Sequence, residues 1–262
     1  MRQVYVTAVS TDSYIPGVLA LDLNIRKMCK HPLLVLAAND LSKDSYEKMR
    51  SRNIKFTTAE HIKVAEDMLQ ATKQHAWFAH WEKTLFKLRI FDLIEYDKLV
   101  FVDCDMMLLE PIDEVFEWPH MSAVISAKSY PGNQHFKDLN SGFMVIEPRK
   151  GLSDDMAALI PQVAAEKRVF GDQDVIQAYF ADWKDKPELA LPEKYNVWFP
   201  HYQFYAKSGA VKALHFVNRT KPWMMRTCDV MREYIRCLFK GNRQGIAILR
   251  KYRKLIKEAM HE

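Results

Sequence analysis

Asp103 and Asp105 stand two positions apart at the close of the apolar run Leu99-Val100-Phe101-Val102, and a second run, Met106-Met107-Leu108-Leu109, follows at once. Carboxylates amid such residues are costly unless something pairs with them. At the carboxyl end of a buried strand, side chains at i and i+2 face one side, so both acids can meet the same hard cation. In an open α/β sheet that edge is where ligands bind. Acidic pairs also end strands in ordinary turns and caps, so the pair alone admits either a metal site or a turn.

The elements that must position this pair alternate. Val4 to Val9 reads as a strand, Gly17 to Lys30 as a helix and Leu33 to Ala38 as a second buried strand, a βαβ opening. Ser42 caps a helix through about Arg52, Ile54-Lys55-Phe56 is a further strand, and Trp81 to Ile94 is an amphipathic helix leading into the strand at Leu99. Beyond the acids, Ala123 to Ala127 and Gly142 to Ile146 read as strands joined across a Pro131-Gly132-Asn133 loop, which makes the sheet mixed. Glu166 to Tyr179 holds a turn at Gly171 and then a helix, and Ala213 to Phe216 is a short strand. From Arg232 onward the pattern is basic and helical.

A chain of 262 residues, 48% hydrophobic and 27% charged, fits one compact catalytic domain. The excess of 38 basic over 33 acidic residues gives +5, too little to argue for nucleic acid, and a phosphate-bearing small molecule is the easier partner. Cys29, Cys104, Cys228 and Cys237 form no CxxC pair, which suits a reducing compartment. Thr7, Ser10, Thr11 and Asp12 interrupt any apolar leader, and no stretch approaches the roughly 20 apolar residues of a membrane span, so the expected compartment is the cytoplasm.

Taken in order, several blocks carry a family resemblance: Val6 to Tyr14, Trp81 to Leu88, Tyr96 to Asp105, Leu139-Asn140-Ser141-Gly142-Phe143, Gly171-Asp172-Gln173, Tyr195-Asn196 and His215-Phe216-Val217-Asn218-Arg219-Thr220-Lys221-Pro222-Trp223. Together they resemble the retaining glycosyltransferases of the glycogenin and galactinol-synthase type, GT-A enzymes of glycosyltransferase family 8, over residues 3 to 225. The resemblance implies a GT-A, Rossmann-like α/β domain over residues 1–230, its mixed, mostly parallel central sheet flanked by helices. Residues 231–262 are then a basic helical extension.

It also implies roles. Asp103, Asp105 and His215 match the ligands of a divalent cation, manganese or else magnesium, that bridges the diphosphate of a UDP-sugar; two carboxylates and one imidazole suit such an ion. Cys104 lies between the two acids in this donor-binding set. Lys221 can neutralise the leaving diphosphate while Pro222 and Trp223 fix its loop. Ala8, Ser10, Thr11 and Tyr14 match the uridine-binding segment, although without the resemblance they read as a polar cap for the next helix. Lys87 matches a donor-contacting lysine, and otherwise solvates an outer helix face. Asn140 and Ser141 match ligands of the sugar hydroxyls, and otherwise form a turn. Asp172 and Gln173 face the transferred sugar in the resembling enzymes, whereas Asp172 read alone suits an N-cap. Because Gln173 is a poor nucleophile, front-face transfer with the leaving phosphate helping to deprotonate the acceptor is preferred over a covalent intermediate.

Three positions depart from the family pattern. Asn218 replaces a glycine, and asparagine tolerates a left-handed backbone better than most residues. Phe78 stands where a donor-contacting arginine is expected, and Gly132 where an acidic sugar ligand is expected, with Asp138 nearby. The expected activity is transfer of a hexose, glucose or galactose, to an acceptor hydroxyl on a carbohydrate, polyol or protein. Alternatives are galactinol-synthase-like transfer to a polyol, a non-catalytic nucleotide-sugar-binding scaffold, and a nucleotidyltransferase or phosphohydrolase that leaves Lys221-Pro222-Trp223 unexplained. Tyr202 and Tyr205 admit self-glucosylation, and the ring-rich stretch Trp198 to Tyr205 reads as an acceptor platform or a packed lid. The basic C-terminal helix reads as a solvated face packed on the domain, a peripheral membrane contact or a homodimer interface, with no part in catalysis.

Overall fold

Runs of Val, Leu and Ile bounded by turn residues become buried strands here, because a strand covered on both faces has no polar side to show. A computed structural model describes residues 1–64, 83–167, 170–209, 211–218, 220–239 and 241–261. Its strands are β1 (Gln3–Val9), β2 (Leu33–Ala38), β3 (Lys55–Ala59), β4 (Lys98–Val102), β5 (Met106–Leu108), β6 (Ala123–Val124), β7 (Asn140–Ile146), β8 (Ala190–Leu191), β9 (Val197–Trp198) and β10 (Ala213–His215). Its α-helices are α1 (Ile15–Met28), α2 (Lys43–Ser51), α3 (Leu152–Ala157), α4 (Ile160–Glu166), α5 (Asp172–Tyr179), α6 (Tyr202–Ser208), α7 (Thr227–Phe239) and α8 (Arg243–His261).

The large sheet runs β3-β2-β1-β4-β7-β6-β8. β3, β2, β1 and β4 are parallel, whereas β7 is antiparallel to both β4 and β6. The chain winds outward from β1 to β3 and then returns to the other side of β1, so the strand order reverses between β1 and β4. In such folds the crevice at that reversal, beyond the carboxyl ends of the strands, is the ligand site. The mixed, mostly parallel sheet expected from the sequence is thus present.

A smaller sheet, β5-β10-β9, sits beside the first. The turn Asp103 to Asp105 carries the chain from β4 into β5, and β10 runs antiparallel to β5 with His215 opposite Met106. Asn24 of α1 fixes this second sheet: its side chain accepts from Leu108 N at 2.7 Å and donates to Leu108 O at 3.2 Å.

Several elements differ from the sequence reading. The helix expected over Trp81 to Ile94 is 3₁₀ over Leu85–Asp92, and Trp81 and Glu82 lie outside the described residues. The strand expected over Ala123 to Ala127 stops at Val124, where the β6–β7 register shifts. The basic C-terminal region is two helices, and the boundary expected at 230/231 falls inside α7. α8 packs along α1 and buries Leu249, Tyr252, Ile256 and Ala259, so it is built onto the core.

Candidate active site

Asp103 and Asp105 meet through a tight turn and not through strand pleating. Met106 N donates to Asp103 O at 3.0 Å, Asp103 N donates to Gly142 O at 2.9 Å, and Phe216 N donates to Asp105 O at 3.0 Å. The turn is therefore tied at once to β7 and to the end of β10. That tie brings His215 to the acids: its Nε2 lies 3.1 Å from Asp105 Oδ1 and 3.9 Å from Asp103 Oδ2. Lys221 Nζ pairs with Asp105 Oδ2 at 2.6 Å and donates to Phe216 O at 3.1 Å.

The imidazole is held from behind. Asn196, fully buried, bonds His215 Nδ1 through its Oδ1 at 3.0 Å and donates through Nδ2 to Asn140 Oδ1 at 2.7 Å. A partner on Nδ1 fixes ring orientation and leaves Nε2 for the acids. Gly142 makes room for this ring, since a methyl there would lie 2.6 Å from His215 Cε1 and 2.9 Å from Asn140 Oδ1. Asn196 and Gly142 are site-building residues that sequence reasoning placed only inside blocks. Gly17 is another, because a methyl on it would lie 2.5 Å from the Trp223 ring and 2.7 Å from Cys104 O.

The opposite wall is built around Lys87, which lies 3.0 Å from Asp103 Oδ1 and 2.9 Å from Asp172 Oδ2. Ser141 Oγ donates to Asp172 Oδ2 at 2.7 Å, while Gln173 Oε1 accepts from Asn140 Nδ2 at 3.2 Å and from Ser141 N at 3.3 Å. The cap of α5 falls to Asp174, whose carboxylate accepts from Gly171 N at 2.8 Å, so Asp172 is left to the site. Lys87 thus faces inward, not toward solvent.

Burial by itself raises Asp105, yet His215 and Lys221 outweigh it and hold this carboxyl well below the usual range. Asp103 is raised by burial, against the pull of Lys87. Burial alone pulls Lys87 down, but Asp103 and Asp172 outweigh it and raise its pKa. Asp103, Asp105 and Asp172 face the two ammonium groups of Lys87 and Lys221, which leaves one negative charge over when His215 is neutral. The ligand atoms of Asp103, Asp105 and His215 lie within 4.8 Å of one another, and among the described residues they form the only such cluster. Charge and geometry fit a divalent cation.

Lys87, Asp103, Asp105 and Asp172 floor a cleft of about 510 Å³, the size range of small-molecule sites, whereas His215, Lys221 and Asn140 stand behind its lining. Of the sequence candidates, Ala8, Ser10, Thr11, Tyr14, Lys87, Asp103, Cys104, Asp105, Ser141, Asp172 and Gln173 line it. Ser10 Oγ donates to Lys83 O at 3.0 Å and Trp223 Nε1 to Ser13 O at 2.8 Å, so the first loop is joined to both later walls. Burial raises both the Tyr14 hydroxyl and the Cys104 thiol, with the two acids adding to each. Asn218 stands apart: it lines a separate pocket with Phe199, Glu233 and Asn242, and its backbone is not among the described positive-φ residues. The expected left-handed turn is therefore absent at Asn218. Phe78 lies outside the described residues.

A second cavity of about 600 Å³ shares Asn140 and Gln173 with this region and is lined also by His135, Asp138, Lys184 and Trp198. Part of the ring-rich stretch is packed, and part of it lines this cavity. Phe199 stacks on Phe216 at 4.8 Å and His201 on Tyr130 at 3.8 Å, whereas Trp198 faces the cavity. The C-terminal helix supports the other side: Tyr252 stacks on Phe216 at 4.4 Å, and Arg253 donates to Pro222 O at 2.6 Å.

Comparison with known proteins agrees with this geometry. Residues 5–227 match the family model for glycosyl transferase family 8. Glycogenin-1 of Mus musculus is 27% identical over 235 residues, covering 84% of this chain and 65% of that protein. Putative UDP-glucuronate:xylan alpha-glucuronosyltransferase 4 of Arabidopsis thaliana is 26% identical over 226 residues, 86% of this chain and 37% of its own length. The chain therefore spans less than two thirds of either relative. The galactosyltransferase LgtC, solved with donor and acceptor sugar analogs, shares the fold at a TM-score of 0.61 and 13% identity, over 97% of this chain and 95% of that one. By its sequence match and its GT-A fold, this chain belongs to glycosyltransferase family 8.

Proposed function

We propose that this chain is a retaining, metal-dependent hexosyltransferase that moves glucose or galactose from a UDP-sugar to an acceptor hydroxyl. The observation that carries it is the convergence of Asp103 and Asp105, from the turn between β4 and β5, with His215 of β10, their ligand atoms within 4.8 Å. These three residues would hold manganese or magnesium, which when bound supplies charge neutralisation for the diphosphate. Ala8, Ser10, Thr11 and Tyr14 receive the uridine. Lys221, now paired with Asp105, and Lys87, paired with Asp103 and Asp172, stabilise the departing UDP.

Gln173 sits between the two cavities, its oxygen already bonded to Asn140 and Ser141. That leaves its NH₂ to hold the sugar at the junction, and an amide held so is a positioning group. Asp172 is occupied by Lys87 and Ser141, so front-face transfer fits better than attack by a protein nucleophile, with the leaving phosphate taking the acceptor proton. Asn140 and Ser141 hold the sugar hydroxyls, and the cavity at Trp198 takes the acceptor, a carbohydrate or polyol. Tyr205, buried and donating to Glu193 at 3.0 Å, is a poor self-acceptor. The C-terminal helices α7 and α8 brace the catalytic unit. A reducing, cytoplasmic setting suits the four free cysteines.

Purified protein incubated with manganese and a panel of UDP-sugars tests the proposal. UDP release from a UDP-hexose that rises with added acceptor is expected, with intact mass unchanged. No release from any donor favours a non-catalytic scaffold and overturns it.

A further inference from the structure

The positive charge of this chain is concentrated in one place. α7 and α8 together carry eight Lys and Arg against three Asp and Glu, an excess of five that equals the net +5 of the whole protein. The rest of the chain, with thirty of each, is neutral. All three acids of the two helices are already paired: Asp229 with Arg226 and Arg232, Glu233 with Arg236, and Glu258 with Lys27. Lys251, Lys254 and Lys257 have no carboxylate partner among the described residues.

Beside this charge lies an apolar stripe. Met231, Ile235, Leu238 and Phe239 are 52%, 48%, 55% and 89% exposed, four of the eight large apolar side chains exposed among the described residues. Their spacing of i, i+4, i+7 and i+8 puts them along one face of α7. The opposite face, with Val230, Glu233 and Cys237, is the one packed inward. Tyr234, half-buried against the core, borders the stripe, and the Arg250 guanidinium of α8 lies 5.1 Å over its ring. Lys254 and Lys257 extend the Arg250 face at helical spacing. An exposed apolar stripe flanked by lysine and arginine matches the chemistry of an acyl–headgroup boundary carrying negative charge.

We propose that α7, with the adjoining basic face of α8, docks this enzyme on an anionic lipid surface. The apolar stripe enters the boundary and the lysines face the headgroups. No residue of α7 or α8 lines the donor cleft, so docking leaves its lining free for a soluble nucleotide sugar.

Co-sedimentation of the full chain with vesicles tests this. Binding is expected to phosphatidylcholine vesicles containing phosphatidylglycerol, to weaken with salt, and to be absent from phosphatidylcholine alone. The double variant Leu238→Glu/Phe239→Glu, whose side chains touch solvent, should bind about tenfold or more weakly at unchanged melting temperature. No pelleting with anionic vesicles overturns the proposal, as does equal pelleting with neutral ones. A concentration-dependent dimer in light scattering that the same variant dissolves would assign the stripe to a second copy of the chain and also overturn it.

Discussion

The parallel half of the sheet and the wall that faces it are held together by different forces. In β1, β2 and β4 the backbone ladder and burial suffice; β2 and β4 are buried at every position, and side-chain hydrogen bonds play little part. Across the cleft, β9 and β10 have two and three residues, and side chains do the joining: His215 to Asn196, Asn196 to Asn140, Asn140 to Gln173, Ser141 to Asp172. Many interchangeable apolar contacts make a frame that tolerates change, whereas a chain of single hydrogen bonds fails at any link. Substitutions in the frame should therefore cost stability, and those in the wall should cost binding.

The largest expected effect is at the junction of the two. Asp105→Asn takes away a carboxylate shared by His215 and Lys221 and leaves a buried lysine unpaired; turnover, read as UDP release, should fall about a thousandfold or more. Asn196→Ala touches no ligand directly, and manganese affinity by titration should fall about 10–100-fold with the melting temperature lowered less than by a core truncation. Equal affinity in that variant would remove the distinction between wall and frame. Leu36→Ala, in β2, should cost about 2–5 kcal/mol in denaturant unfolding and leave the affinity of the folded protein unchanged.

The smallest effect sharpens the comparison where the frame meets the first loop. Asp12 accepts from Ser45 Oγ at 2.5 Å and from Ser42 N and Oγ at 2.9 Å, tying the loop of Ser10 and Tyr14 to α2. The Ser45 bond is the main cause holding its carboxyl below the ordinary value. The unfolded chain then takes up the proton first, so the clamp is fully present above pH about 4 and is lost as pH falls through the lower folded value. Melting temperature in acid should decline slightly less steeply in Asp12→Asn than in the native protein. Identical acid profiles would show that the clamp contributes nothing.

The frame was legible because burial writes itself as composition. Leu33 to Ala38 forms the strand its residues imply, and Ser42 caps α2 as its position before a helical run implies. The short elements were not, since a two-residue strand such as β6 or β9 has no period to read, and its pairing depends on neighbours remote in sequence. At the site, the residue types of the acidic pair were visible, but the mode of their meeting was not: a turn between two sheets replaces the expected pleat. Asn196 was legible only as part of a block, because nothing local to Tyr195-Asn196 signals a bond to His215 nineteen residues away. Asn218 misled for the converse reason. Its place in a motif says where the chain passes, while the packing of Phe199 and α7 decides which pocket it faces.

In the proposed function one cation, gripped by groups from the turn between β4 and β5 and from β10, binds the diphosphate of the donor. Calorimetric titration of the native chain with UDP, in manganese and then in EDTA, tests it most directly. Saturable binding in manganese that disappears in EDTA and in Asp105→Asn is the predicted result; equal UDP affinity with and without the metal would contradict it.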